Sequence, residues 1–311
     1  MVIFKGPDLM SNVAPALRPT ASLWRRHEKR IAPWLFLAPA LLAFSLFVVW
    51  PILSSLWISL HEWDGLGPMK FIGFDNYIEL YNDPKFYIAL VNNIKWLVLF
   101  LLAPAGGLAI ALFLNQQITG MRLVKALFFF PFVISQVVVG LIFSWFYDPN
   151  FGLLNVLLHS FGFAPVAPLS SESAVTYAII AAGLWPQIAY CMILYLTGLN
   201  NVNPEQIEAA RMDGCKGWKL FWHIILPQLR PATFIAVVVT VIGALRSFDL
   251  VAIMTNGGPY DSSTVLGYFM YEQAIFSYRM GYGAAIATVL FLIMDIYIAF
   301  FLVSMLRKEA E

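Results

Sequence analysis

The sequence predicts an all-α membrane protein with six transmembrane helices, and three observations predict it. The first is composition. Of 311 residues, 60% are hydrophobic and 12% are charged, against roughly 45–50% and about 25% in soluble globular domains. That surplus of apolar surface requires lipid as its solvent. The second is arrangement: six long, nearly uncharged runs lie at about 33–60, 91–114, 126–147, 175–199, 232–255 and 284–306. Each is long enough to cross a hydrocarbon core as a helix, which takes roughly 20 residues. None alternates as a membrane β-strand does, and backbone in lipid must satisfy its own hydrogen bonds, so each run is helical. The third is the placement of basic residues, which concentrate in cytoplasmic loops. With the N-terminus inside, the inner segments hold Lys5, Arg18, Arg25, Arg26, Lys29, Arg30, Arg122, Lys125, Arg211, Lys216, Lys219, Arg230, Arg307 and Lys308. The outer loops hold Lys70, Lys85 and Arg279. Both termini are therefore expected in the cytoplasm.

Taken in order, residues 1–30 carry prolines, serines and charge without apolar period, and read as a poorly ordered cytoplasmic arm. Residues 31–311 read as one six-helix transmembrane domain with no soluble domain attached. The first run follows Arg25, Arg26, Lys29 and Arg30. It is too long for a signal-peptide core and lacks a clear small-residue cleavage site, so it is expected to be retained as a helix. The outer loops, about 61–90, 148–174 and 256–283, are short and partly amphipathic. A net charge of +1 gives no electrostatic footprint for nucleic acid. Cys191 and Cys215 are too few for a disulfide framework, and His27, His61, His159 and His223 are too scattered to suggest a metal site.

The most informative stretch is the inner loop at 203–231. Asn203 suits an N-cap, Pro204 the first helical position, and Gln206 stands at capping-box spacing. Glu205 and Glu208 place negative charge near the helix N-terminus. Gly214 is expected to end the helix in a left-handed conformation. A second short helix is expected over about Trp218–Leu226, with Pro227 blocking its continuation. Ala209 and Ala210 give one side of the first helix a low profile, which lets another protein approach closely. A plainer reading is an interfacial amphipathic helix resting on headgroups.

The run Glu208-Ala209-Ala210-Arg211-Met212-Asp213-Gly214, followed by Phe221, Ile224, Leu226-Pro227 and Pro231, resembles the EAA loop of binding-protein-dependent ABC importer permeases. Cys215 stands where that family usually has alanine. Further segments resemble the MalF-type sugar permeases: Phe71-Ile72-Gly73-Phe74-Asp75-Asn76-Tyr77; Pro131 to Asn155 with Trp145, Asp148-Pro149 and Gly152; Phe248-Asp249 with Thr255-Asn256-Gly257-Gly258-Pro259; and Gly281-Tyr282-Gly283-Ala284-Ala285. The likeness runs from about residue 35 to the end, without the large periplasmic insert of some members.

The resemblance implies the type I (MetI-like) permease fold, in the inner membrane of a bacterium. It implies a coupling loop made of Glu205, Glu208, Ala209, Ala210, Asp213, Gly214, Leu226 and Pro227. That loop would dock in a cleft of a cytoplasmic ATPase dimer, with Glu208 facing a basic group, and Gly214→Ala is expected to uncouple transport. The implied partners are a MalG-type second permease, that ATPase and an extracytoplasmic solute-binding protein delivering a sugar. No P-loop occurs in this chain. The nearest stretch, Gly214–Lys219, has the wrong spacing and a Trp, so ATP and Mg belong to the partner and this chain is not itself an enzyme.

Polar groups inside membrane helices tend to face the bundle interior or a path. Arg246 and Asp249 would bind sugar hydroxyls, or neutralise each other as an i, i+3 ion pair. Trp185, Gln187, Tyr190 and Tyr195 surround Pro186, whose freed carbonyl suits a cavity wall. The plainer reading of these residues is ordinary packing with interfacial aromatics. Asp295 is a lone acid in an apolar run, expected to pair with a polar group of a partner helix or to line the path. Lys95 is read as lying near a helix end and snorkelling. The competing class, an ion-coupled secondary transporter, would need a polar relay and internal repeats. Neither is clear, and it would leave the 203–231 loop without purpose, as would a structural scaffold.

Overall fold

The computed structural model describes residues 23–116 and 119–309. Of the expected N-terminal arm, residues 1–22 lie outside the described residues. The remainder is helical rather than irregular, because α1 (Leu23–Phe44) already begins at Leu23. The first of two compact units ends at Ser54. It contains α1, a π turn at Ser45–Val49 and the start of α2 (Trp50–Ile58).

The second unit, Ser55–Glu311, opens with a two-residue antiparallel pair, β1 (His61–Glu62) and β2 (Lys70–Phe71). It continues through α3 (Asp75–Asn82), α4 (Pro84–Phe100), α5 (Leu102–Leu114), α6 (Met121–Val133), α7 (Gln136–Phe146), α8 (Leu153–Ser160) and α9 (Val175–Asn200). Then follow α10 (Pro204–Met212), α11 (Gly217–Leu220), α12 (Leu226–Gln228), α13 (Arg230–Leu245), α14 (Phe248–Met254), α15 (Leu266–Tyr271) and α16 (Met280–Glu309). Among the described residues, four helical stretches are long and apolar enough to cross a membrane: Ala32–Ile58, Pro84–Leu114, Val175–Asn200 and Met280–Ala299. The count is six when two bent pairs are each taken as one span.

Those bent pairs correct the picture of uniform runs. The third run is two helices meeting at 98°. Ile134 is extended, and Ser135 caps α7 by accepting from the Val138 amide at 3.4 Å. A single hydroxyl within an apolar stretch thus starts a new helix, an event that hydropathy does not register. The second run begins seven residues earlier than expected, at Pro84, because Asp83 caps α4 by accepting from Lys85 N–H at 2.8 Å. The fifth run, 232–255, divides into α13 and α14 where Arg246 and Ser247 leave helical geometry.

α9 is the central element, with α4, α5, α6, α7, α13 and α14 all packing on it. Its closest partner is α5, and Gly107 shows why: a β-carbon there would lie 2.5 Å from Cys191 Cβ and 2.7 Å from the Met192 backbone nitrogen. Without a hydrophobic drive between helices in lipid, small residues that let backbones approach supply the packing. One apolar cluster gathers Trp96, Phe100, Val139, Ile179 and Leu250. A second gathers Leu114, Met192, Tyr195, Leu199 and Leu229 towards the 203–231 loop.

Candidate functional site

The 203–231 loop is a closed hairpin. Asn203 caps α10 by accepting from Glu205 N–H at 2.8 Å. Gln206 does not complete a capping box. The Asn203 amide is taken instead by Gln228 Oε1 at 2.9 Å, from the far end of the second arm. Gln228 in turn donates to the Ile224 carbonyl at 3.1 Å, which holds its amide in place. One side chain therefore joins the two feet of the hairpin. No local spacing rule could point to it, since the partners are 25 residues apart.

The turn is a Schellman motif. Cys215 N–H donates to the Ala210 carbonyl at 2.8 Å and Gly214 N–H to that of Arg211 at 3.1 Å, with Gly214 at φ +78°. The second arm does not stop at Pro227. It runs from α11 through a π turn at Phe221–Ile225 into α12, which contains Pro227. In the π turn Leu226 N–H bonds Phe221 O, five residues back. The widened turn makes room for a residue that has no N–H of its own to place. The arm ends at Gln228, and the chain bends by 71° into α13.

Of the coupling residues, Glu205, Glu208, Ala209, Asp213, Gly214 and Pro227 are exposed and Leu226 is half-buried. Ala210 is buried, so the expected shared flat side of Ala209 and Ala210 is not formed. Adjacent residues on a helix point about 100° apart, and only Ala209 faces out.

The expected path residues fall into two groups. Around Pro186, Gln187 donates to Thr240 Oγ1 on α13 at 2.9 Å, and Thr240 lies 3.4 Å from Cys191 Sγ. This interhelical polar contact was not foreseen, because Thr240 sits unmarked in an apolar run. Trp185 packs on Phe143 with ring centroids 5.8 Å apart, and Tyr190 on Phe132 at 4.9 Å. Buried Tyr195 belongs to the apolar cluster at the loop end of α9. A cavity of about 360 Å³ beside α9 is lined by Trp185, Ile188, Ala189, Ile110, Phe128 and Pro131, and Gln187 is not among its lining residues. Arg246, Asp249 and Asp295 form the second group, and all three are exposed. The i, i+3 ion pair is absent among the described residues, since the break at Arg246–Ser247 removes the helical register it needs. Among the described residues, no hydrogen bond or ion pair joins any two of these seven side chains. Lys95 lies in the middle of α4, not near its end. Its Nζ is 3.0 Å from Asn92 Oδ1 and 5.6 Å from the Tyr177 ring centre.

At the opposite end from the hairpin, a polar network holds the 256–264 loop. Asn92 donates to the Ser262 and Thr264 carbonyls at 2.7 and 2.9 Å, and Asn93 accepts from Leu266 N–H at 2.8 Å. Lys85 bridges Asp261 at 2.8 Å and Glu272 at 2.5 Å. Arg279 pairs with Glu79, and the Tyr282 hydroxyl donates to Asp83 at 2.8 Å. In the nearby 63–67 turn, backbone N–H groups of Gly67 and Leu66 hold the exposed Asp64 carboxyl below the usual range.

A helical bundle of this kind, with a structured hairpin set between two of its spans, defines the type I permease class of ABC importers. The chain belongs to the family of binding-protein-dependent transport system inner membrane components, whose profile matches residues 106–310. It is 39% identical over 273 residues to the probable ABC transporter permease protein YurN of Bacillus subtilis (strain 168), covering 86% of this chain and 93% of the relative. It is 34% identical to the alpha-glucoside transport system permease protein AglF of Rhizobium meliloti (strain 1021), covering 86% and 80%. The fold matches a chain of a bacterial ABC transporter involved in the import of the acidic polysaccharide alginate, with a TM-score of 0.80, 21% identity and 92% and 98% coverage. The protein is thus a multi-pass transmembrane permease component of a binding-protein-dependent ABC importer. It works within a complex that includes an extracytoplasmic binding protein, and it is not itself a catalytic subunit.

Proposed function

We propose that the chain is a MalF-type permease importing a sugar or glycoside, with the 203–228 hairpin as the handle through which an ATPase dimer moves it. The reading rests above all on the closed hairpin: Gln228 joining its feet, a Schellman turn at Gly214, and exposed Glu205, Glu208 and Asp213 on one arm. A loop that only connected two spans would need none of these. The basic-residue asymmetry supports a cytoplasmic side for the hairpin and both termini. The 256–264 loop then faces the binding protein, and a MalG-type sister completes the path. The sugar assignment is supported by the segments shared with MalF-type permeases and by the glucoside-transporting relative.

Arg246, Asp249 and Asp295 support a path formed only with the sister chain. Charged groups on membrane helices are costly against lipid. Their exposure in the single chain is in keeping with a water-filled cavity or a partner face around them. Trp185 and Tyr190 offer aromatic faces for sugar C–H groups, and Gln187 a planar amide. The test is uptake of labelled maltose-class oligosaccharides by proteoliposomes holding both permeases, the ATPase and the binding protein. ATP-dependent uptake that Asp249→Asn and Arg246→Ala reduce at least about tenfold, with assembly intact, is expected. Uptake driven by a proton or sodium gradient without the ATPase would overturn the reading.

A further inference from the structure

The two arms of the hairpin present opposite chemistry. α10 and its turn hold all three acids, Glu205, Glu208 and Asp213. From Gly214 to Phe248 the sequence contains no Asp or Glu. The second arm instead exposes Lys216, Lys219 and His223, with Arg230 just beyond it. Three aromatic rings cluster on the same arm. Trp218 stacks on Phe221 at 5.3 Å, and Trp222 stands 5.8 Å from Trp218 and 5.6 Å from Phe221. Trp218 is nevertheless 71% exposed and Trp222 50%. Leu220 is buried and Ile224 half-buried on a third face, so the arm packs on its own chain through other residues. The aromatic cluster is additional to them.

Orientation says what covers it. The arm meets α13 at 71°, so with α13 crossing the bilayer the arm lies close to the membrane plane, at its surface. Exposed Trp side by side with Lys is the composition of a membrane–water interface, where indole rings sit at headgroup depth and lysines reach phosphate. The neighbouring inner loop adds Arg122 and Lys125, and residues 84–147 also contain no acid. A bilayer surface would repel the first arm's acids and turn them towards the cytoplasm, where the ATPase is.

We propose that the second arm, through Lys216, Lys219, Trp218 and Trp222, binds the headgroups of anionic phospholipids in the inner leaflet. The hairpin is then gripped from two sides, by the ATPase on α10 and by lipid on the second arm, and lipid charge sets how firmly its base is held. This rests on the orientation given under Proposed function.

The test uses the complete importer in nanodiscs of phosphatidylcholine with and without phosphatidylglycerol. Lipids retained on the complex are measured by native mass spectrometry for wild type, Lys216→Glu/Lys219→Glu, Trp218→Ala/Trp222→Ala and the control Lys216→Arg/Lys219→Arg. Each surface lysine contributes about a fivefold preference for anionic lipid. The double reversal should therefore lower retained phosphatidylglycerol at least about tenfold, and the arginine control should keep it. The tryptophan pair should lower retention of both lipids. Equal phosphatidylglycerol retention in wild type and the charge-reversed complex would overturn the proposal. So would loss of the ATPase subunits from that complex, which would give the surface to the ATPase and leave the coupling reading intact. Failure of wild-type ATP-dependent uptake would count against the coupling reading alone.

Discussion

Gly214 offers the sharpest test of the hairpin, because its backbone demand and its steric demand can be separated. Its φ is +78°, and a β-carbon built on it meets nothing within 4 Å in this chain. An alanine there would suffer only the intrinsic cost of the left-handed conformation, about 1–2 kcal/mol. Asparagine tolerates that region well, and a β-branched residue is a genuine outlier there. Since 1.4 kcal/mol is about a factor of ten, Gly214→Ala should lower the population of the closed turn roughly 5- to 30-fold relative to its alternatives. Gly214→Asn should change it little, and Gly214→Val should exceed the alanine effect. The assay is uptake and solute-stimulated ATP hydrolysis by the reconstituted complex, with membrane insertion checked by quantitative blotting. The expected order of coupling is Gly, then Asn, Ala and Val, with insertion unchanged throughout. If asparagine were as harmful as valine, conformational cost could not be the cause. Contact with a partner surface over Gly214 would then have to replace it.

Three further outcomes follow from contacts elsewhere. Gly107→Ala puts a carbon 2.5 Å from Cys191 Cβ, where carbons normally rest at about 3.5–4.0 Å. The α5–α9 contact should lose about 1–3 kcal/mol, read as a lower midpoint in heated fluorescence-detected size exclusion; an unchanged midpoint would refute the close approach. Gln228→Leu removes the acceptor for Asn203 N–H, a bond of about 1 kcal/mol. Hydrogen exchange at the foot of α10 should quicken about fivefold while the spans stay as protected as before. Lys85→Met leaves Asp261 and Glu272 unneutralised near each other. The 256–278 segment should become sensitive to limited proteolysis, and adding Asp261→Asn with Glu272→Gln should restore much of its resistance.

The sequence carried the large-scale plan well, for a physical reason. Lipid punishes unpaired backbone so heavily that long apolar runs are nearly sufficient signals of the helices. Asn203 and Gly214 were equally legible, because an N-cap and a left-handed C′ glycine are local requirements. Three features were not legible. Ser135 begins α7 inside an apolar stretch, and one hydroxyl barely changes hydropathy. Pro227 is absorbed by a π turn that has no composition signature. Gln228 acts on Asn203 only after the hairpin has closed. The Arg246–Asp249 pair failed for a related reason: spacing by three implies contact only on an unbroken helix, and the break at Ser247 shows no strong local cue.

The packing at the base of the hairpin bears on how it could act. If the hairpin hung on a pliant joint, a pull on it would be lost as bending before reaching the spans. The joint to α13 is instead Leu229 alone, and it is fully buried. A β-carbon on Gly198, near the end of α9, would meet Ala232 Cβ at 2.8 Å and Leu229 Cδ2 at 3.0 Å. α9 and α13 therefore touch where the two feet of the hairpin leave them, with no room for one to move without the other. Gln187 and Thr240 join the same two helices further along. Packed interiors switch between arrangements rather than deform continuously, so force on the hairpin should displace α9 and α13 together. Because α4, α5, α6 and α7 all rest on α9, such a displacement reaches most of the second unit. A long flexible insertion between Gln228 and Arg230 should then abolish uptake while leaving the ATPase bound, whereas retained uptake would show that the hairpin works by some means other than leverage.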